Sequence, residues 1–236
     1  MALEQTEEQV VDPRTDPGWR GLNPLSITAW LISINVAVYL LDCATTRYLI
    51  FPDGKQIQTP GPVFEWGVFT AQKAVFQGQV WRFVTFQFLH ANYVHLLFNM
   101  LALFFFGPLM EAHLGRLRYL AFYLVCGMAG PVSYLIFCWL HVADADRNST
   151  LVGASAGVFG ILIAAAQVLP DAQVLIYGII PARLRTVAWI LLGVAIYTVF
   201  TNGRNAGGEA AHLGGAAVGY LLIRSERLWA VRSTGS

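Results

Sequence analysis

The chain has 236 residues, of which 56% are hydrophobic and only 12% are charged, whereas a soluble domain carries about 25% charged residues. This composition, arranged in long apolar runs, predicts a membrane protein that crosses the bilayer several times as a single bundle. The formal net charge of +1 provides no basic surface for nucleic acid. The three cysteines have no paired spacing, so neither a disulfide framework nor a metal site is expected.

Six apolar segments are candidates for membrane-spanning helices. They cover residues 25–43, 83–109, 119–141, 151–169, 186–201 and 209–223. We therefore expect an all-α membrane protein whose six-helix domain occupies residues 25–223. Residues 1–24 are polar and acidic and predict a flexible cytoplasmic N-terminal tail, whereas residues 224–236 predict a short basic cytoplasmic tail.

The connection between the first two segments, residues 44–80, is long and unusual in composition. Its second half is rich in aromatic residues, but glycine, glutamine and lysine interrupt it. That mixture is typical of the membrane–water interface, where this first loop is expected to lie.

Arginine placement predicts the orientation of the bundle. Arginines are more numerous in every second connection and in the C-terminal tail: Arg116, Arg118, Arg183, Arg185, Arg224, Arg227 and Arg232. The connections before the fourth and sixth segments hold only Arg147 or Arg204. By the positive-inside rule both termini are cytoplasmic, and the expected location is a bacterial plasma membrane.

A serine flanked by glycines begins the fourth apolar segment, in the sequence from Gly153 to Gly160. Small residues allow a second backbone to approach closely, and a helix N-terminus presents unpaired N–H groups. Ser155 is therefore a candidate nucleophile. The same glycines are also typical of a packing face between membrane helices, so this stretch alone does not decide between the two interpretations.

Four further polar residues occur inside the apolar segments, where such side chains are costly and usually face the bundle interior. His90, His95 and Asn99 belong to the second segment, and His212 belongs to the sixth. The predicted orientation brings all of them to the depth of Ser155, in the outer part of the membrane. This is the arrangement that a serine nucleophile and its general base require. His90 and His95 lack the spacing and the glutamate of a zinc-protease helix, so no metal is expected.

These residues and motifs together resemble those of the rhomboid intramembrane serine proteases. The matching features are Trp81-Arg82, His90 with His95-x-x-x-Asn99, Gly153-x-Ser155 and His212-x-x-Gly215-x-x-x-Gly219. The resemblance covers about residues 25–223. It departs from the common pattern at Ala156, where many relatives have a glycine; we expect this alanine to be tolerated.

The resemblance implies a role for each matching residue. Ser155 would be the nucleophile and His212 its base, in a dyad without a carboxylate as third member. His95 and Asn99 would help to hold the oxyanion, His90 and Gly153 would support that region, and Phe159 would lie against the His212 ring. Trp81 and Arg82 would belong to a membrane-dipping first loop. No cofactor is implied.

The expected function is that of a serine endopeptidase in the lipid bilayer, whose substrates are transmembrane segments of single-pass membrane proteins cleaved near the outer face. An alternative is a catalytically silent rhomboid-like protein that binds membrane helices. A small transporter would have charged groups at mid-membrane or paired discontinuous helices, and the sequence has neither.

Overall fold

The computed structural model describes residues 23–50, 56–142, 148–176 and 180–225. Most of these residues are helical. The helices are α1 (Ile27–Thr45), α2 (Pro62–Gly67), α3 (Arg82–Thr85), α4 (Tyr93–Leu114), α5 (Arg116–Trp139), α6 (Ser155–Val168), α7 (Leu184–Phe200) and α8 (Ala206–Arg224). Most of the predicted N-terminal and C-terminal tails, residues 1–22 and 226–236, lies outside the described residues.

Two small hairpins occur in the connections, where the sequence indicated only loops. Strand β1 (Arg47–Ile50) pairs antiparallel with β2 (Gln56–Thr59), and β3 (Gln173–Ile176) pairs antiparallel with β4 (Ile180–Arg183). Within the described ranges, α1, α4 and α5 are long and apolar enough to cross a membrane, and α6 and α7 are shorter apolar helices. The helical membrane bundle expected from the sequence is confirmed.

The predicted start of the second span, at residue 83, is wrong. The chain forms α3, then a 3₁₀ turn over Phe86–Phe88, and becomes extended at Leu89 before α4 begins at Tyr93. Asn92 caps α4, since its side-chain oxygen accepts a hydrogen bond from the backbone N–H of His95 at 2.9 Å. The apolar run continues across this break, which is why the sequence predicts one helix. His90 therefore lies in the connection before α4.

The fourth span also begins later than predicted, because residues 151–154 are not helical. Leu151 pairs with Phe69 of the first loop through two backbone hydrogen bonds, Phe69 N–H to Leu151 O at 3.2 Å and Leu151 N–H to Phe69 O at 2.9 Å. The N–H of Gly153 donates to Phe86 O at 2.9 Å. Ser155 consequently becomes the first residue of α6, held in place by the loop that precedes α4.

Glu111 joins the N-terminus of α1 to α4. Its two carboxylate oxygens accept hydrogen bonds from the N–H of Ile27 at 2.8 Å, the N–H of Thr28 at 2.9 Å and the Thr28 hydroxyl at 2.8 Å. These are N–H groups that a helix cannot satisfy internally, and a negative charge is favourable beside them. Glu111, a buried acidic residue of this bundle, therefore has a structural role.

Glycines allow α8 to approach α5 and α6 closely. A Cβ atom on Gly215 would lie 2.0 Å from the carbonyl oxygen of Ala156, and one on Gly219 would lie 2.6 Å from the Cα of Gly160. On the other side of α8, a Cβ on Gly214 would lie 2.4 Å from the carbonyl oxygen of Ala129. Gly219 of α8 thus lies against Gly160 of α6, and this contact brings the backbones of the two helices together.

Ala156, the departure from the common glycine, packs against a glycine of α5. A Cβ atom on Gly130 would lie 2.8 Å from the Ala156 Cβ, closer than two carbons can approach. The Ala156 methyl therefore occupies space that is open because Gly130 has no side chain.

This pairing predicts a compensating double substitution. Gly130→Ala should lower the free energy of unfolding by about 1–3 kcal/mol, the usual cost of overpacking, and adding Ala156→Gly should recover part of that loss. Thermal unfolding of the single and double variants in detergent measures the coupling. Strictly additive effects would contradict the proposed contact between the two methyl groups.

Candidate active site

Ser155 and His212 meet where the N-terminal turn of α6 packs against α8. The Ser155 Oγ lies 2.7 Å from His212 Nε2, which is hydrogen-bond distance. The two residues are separated by 57 positions in the sequence, and the glycine contacts between α6 and α8 bring them together. This is the distance that a general base needs to remove the hydroxyl proton.

Phe159 supports the His212 ring from one face. The two rings are stacked with their centroids 4.4 Å apart and their planes at 9°. Phe159 lies four residues after Ser155, so both side chains are on the same side of α6. The stacking restricts rotation of the imidazole and keeps its Nε2 directed at the serine.

The structure adds one residue that the sequence analysis passed over. Glu209 Oε2 lies 2.9 Å from Nδ1 of His212, on the opposite side of the ring from Ser155. The two residues are three positions apart on α8, so their side chains share a helix face. That spacing is visible in the sequence, where Glu209 is the first residue of the predicted sixth segment.

His95 and Gly153 lie against each other beside Ser155. A Cβ atom on Gly153 would lie 2.8 Å from His95 Nε2 and 3.6 Å from Ser155 Oγ. Gly153 also has a φ of +125°, which side-chain-bearing residues rarely adopt. Glycine is thus required here twice, for its backbone conformation and for the space that the His95 ring fills.

Asn99 completes this group from one turn further along α4. It is buried, and within the described part of the chain its Nδ2 has no hydrogen-bond partner. A buried amide donor without a partner is costly, so its presence beside a cavity favours a ligand-binding role.

The His90 side chain packs against His95 and does not line the active-site cavity. Its buried ring meets His95 edge-on, with centroids 5.1 Å apart and planes at 65°. Burial, and then the nearby His95, lowers the pKa of His90 to about 3. His90 is therefore neutral at physiological pH and fixes the position of His95 by packing.

A cavity of about 510 Å³ connects these side chains. Ser155, His212, His95 and Asn99 all line it, and Phe98 adds an apolar wall. A serine hydroxyl, two imidazoles and a side-chain amide thus face one space, which can accommodate an extended peptide segment. The residues that the structure describes include no group of three or more metal-binding side chains.

Trp81 and Arg82 organise the first loop. The Trp81 ring stacks on Trp66, with centroids 5.9 Å apart. Arg82 is almost fully buried and donates hydrogen bonds to the carbonyl oxygens of Glu65 at 2.9 Å and Val68 at 2.5 Å. These bonds attach α2 to α3 and hold Val68 in place. The next residue, Phe69, pairs with Leu151 shortly before Ser155.

Comparison with known proteins adds evidence of a different kind. The family model of the Rhomboid domain matches residues 77–226. The chain is 27% identical over 213 residues to rhomboid protease AarA of Providencia stuartii, covering 85% of this chain and 72% of AarA. It is 30% identical over 181 residues to RHOMBOID-like protein 4 of Arabidopsis thaliana, covering 74% of this chain but 39% of the plant protein.

A third relative matches a shorter region at higher identity. The putative rhomboid protease YdcA of Bacillus subtilis is 36% identical over 87 residues, which are 37% of this chain and 40% of YdcA. The family match spans more than half of the chain and includes α4, α6 and α8, the helices that carry the site. The chain is an integral membrane protein that belongs to the rhomboid family.

Proposed function

We propose that this protein is an intramembrane serine endopeptidase, in which Ser155 attacks the peptide bond and His212 is the general base. The observation that carries the proposal is the 2.7 Å distance between Ser155 Oγ and His212 Nε2 beside a cavity of peptide size. Membership of a family whose relatives include named rhomboid proteases supports the same reaction.

The first step follows from the positions of the reacting atoms. The Ser155 oxygen bonds to the substrate carbonyl carbon while its proton moves to His212 Nε2. His212 then gives that proton to the leaving amine as the C–N bond breaks, which leaves an acyl-enzyme. Water, deprotonated by His212, hydrolyses the ester and regenerates the Ser155 hydroxyl.

Three donors are available for the oxyanion formed in this step. The Ser155 N–H is at the start of α6, where N–H groups have no partner within the helix. Asn99 Nδ2 has no partner among the described residues, and the His95 ring lies beside Gly153. Each donor contributes on the order of 3 kcal/mol of transition-state stabilisation, by analogy with soluble serine proteases.

The length of α6 supports a reaction within the membrane. Its 14 residues extend about 21 Å, whereas the hydrocarbon core of a bilayer is about 30 Å thick. An α6 that reaches one membrane surface therefore ends below the other surface, with Ser155 at the recessed end. Polar side chains around the cavity favour the hydration that ester hydrolysis requires.

Transmembrane segments of single-pass membrane proteins are the substrate class that we infer. A helix must unwind locally to present an extended peptide, and unwinding in lipid leaves backbone groups unpaired. Glycine, alanine or proline near the cleavage site is expected to favour cleavage. We further propose cytoplasmic termini, cleavage near the outer face, a membrane-dipping first loop and a bacterial plasma membrane as the location.

A cleavage assay in proteoliposomes tests this function. Purified wild-type protein should convert at least one member of a panel of single-pass substrates into two products, whereas Ser155→Ala should release none. Equal substrate binding by both proteins with no product from either would favour the non-catalytic binder. Product from Ser155→Ala at the wild-type rate would contradict the assignment of the nucleophile.

A further inference from the structure

Glu209 contacts the ring nitrogen of His212 that faces away from the nucleophile. We infer that Glu209 is a positioning residue for His212, so that the site works as a Ser155–His212–Glu209 triad. The inference rests on the proposed function and goes beyond the dyad that the family resemblance implies. Its basis is the 2.9 Å distance between Glu209 Oε2 and His212 Nδ1.

The three contacts to the imidazole complement one another. Ser155 lies at Nε2, Glu209 lies at Nδ1, and the Phe159 ring covers one face. The side chains of His212 and Glu209 are 15% and 20% exposed, so their interaction is only partly screened by solvent. Since Glu209 and His212 are on the same helix, α8 itself keeps the carboxylate next to the imidazole.

Glu209 determines which nitrogen of the neutral imidazole carries the hydrogen. A carboxylate at Nδ1 accepts a hydrogen bond from Nδ1–H, which leaves the lone pair of Nε2 free to accept the Ser155 proton. When Nε2 takes that proton the ring becomes positively charged, and the adjacent carboxylate stabilises it. Glu209 keeps its negative charge throughout and takes no proton.

A purely structural role for Glu209 makes a different prediction. Glu209 lies in the first turn of α8, where an acidic side chain stabilises the helix through its dipole. Its removal would then lower the thermal midpoint but leave the turnover of folded enzyme unchanged. A positioning role instead lowers kcat in folded enzyme.

Separate measurement of kcat and KM provides the readout that a structural role does not move. Other polar groups near this pair are His95 on α4, Ser155 on α6 and Tyr134 on α5, which packs against Gly207. The buried residues of α7, which also packs against α8, are apolar. Among the described residues Glu209 is thus the carboxylate that contacts His212, and its removal should lower kcat in folded enzyme while KM stays near the wild-type value.

The experiment compares Glu209→Gln, Glu209→Asp and Asp171→Asn with wild type in proteoliposomes, using a single-pass substrate that wild type cleaves. Glu209→Gln should lower kcat about 10- to 100-fold with little change in KM, less than the roughly 10⁴-fold loss for a buried triad carboxylate in a soluble protease. Glu209→Asp keeps the charge and should retain more activity. Asp171→Asn, which removes an exposed carboxylate at the far end of α6, should behave as wild type.

The outcomes separate this inference from the proposed function. An active wild type together with a Glu209→Gln variant of equal kcat would overturn the triad and leave the serine protease intact. A fall in activity that matches the loss of folded protein, followed by thermal unfolding in detergent, would also overturn it. A wild type that cleaves no substrate, and is not labelled by a fluorophosphonate at Ser155, would overturn both.

Discussion

Replacing His212 with alanine should lower kcat by about 10⁴- to 10⁶-fold, the range found when the base of a serine protease is removed. The reason is specific: the Ser155 hydroxyl loses the acceptor at 2.7 Å and the leaving amine loses its proton donor. Gel-based cleavage of a single-pass substrate in proteoliposomes measures the effect.

His113 provides a matched control for this substitution. It is an exposed histidine near the C-terminal end of α4, remote from the His212 ring in the active-site cavity. His113→Ala should therefore keep wild-type activity. Cleavage by His212→Ala within about tenfold of wild type, far above the residual level expected without a base, would exclude His212 as the base.

Gly215→Ala should strongly lower activity from a position that does not line the active-site cavity. Its new Cβ would lie 2.0 Å from the Ala156 carbonyl oxygen, so α8 must move away from α6. We expect a loss of about 1–3 kcal/mol in the free energy of unfolding and a loss of activity on the order of 100-fold, because a displacement of about 1 Å at the catalytic pair has that effect.

Gly193→Ala is the corresponding control. Gly193 is in the membrane helix α7, but a Cβ atom there would meet nothing within 4 Å. It changes the same residue type without overpacking, and should leave both stability and activity near wild type. Full activity in Gly215→Ala would show that the close approach of α8 to α6 is not required for the Ser155–His212 contact.

The sequence predicted the helical bundle and the residues around the cavity, because both depend on patterns that the chain displays directly. Apolar runs indicated the helices. Polar side chains within those runs are energetically costly in a membrane, so they indicated a functional site. The predicted common depth of Ser155 and His212 agrees with the hydrogen-bond distance between their side chains.

Element boundaries were harder to predict, since hydrophobicity does not distinguish a membrane helix from a buried loop. The segment from Phe86 to Asn92 is apolar enough to continue a helix, but Asn92 caps α4 instead. Likewise the backbone of Leu151 pairs with Phe69 rather than starting α6. The Leu151 pairing is a long-range backbone contact that a local pattern does not specify, whereas the Asn92 cap is a local contact to the N–H of His95.

Two acidic residues illustrate the same limit. Glu111 binds the start of α1 across 83 or 84 positions of sequence, a contact that only the packed bundle creates. Glu209 is three residues from His212 and could have been noticed from helical spacing. That Glu209 lies inside a helix with His212, however, depends on where α8 begins. The helix begins at Ala206 rather than at Glu209.

The central claim, that Ser155 is an activated nucleophile, is tested most directly by covalent labelling. A fluorophosphonate should modify wild-type protein in proteoliposomes, and mass spectrometry should locate the adduct on the peptide that contains Ser155. Labelling should be absent in Ser155→Ala and strongly slowed in His212→Ala. Stable labelling of Ser155→Ala at the wild-type level would contradict the claim.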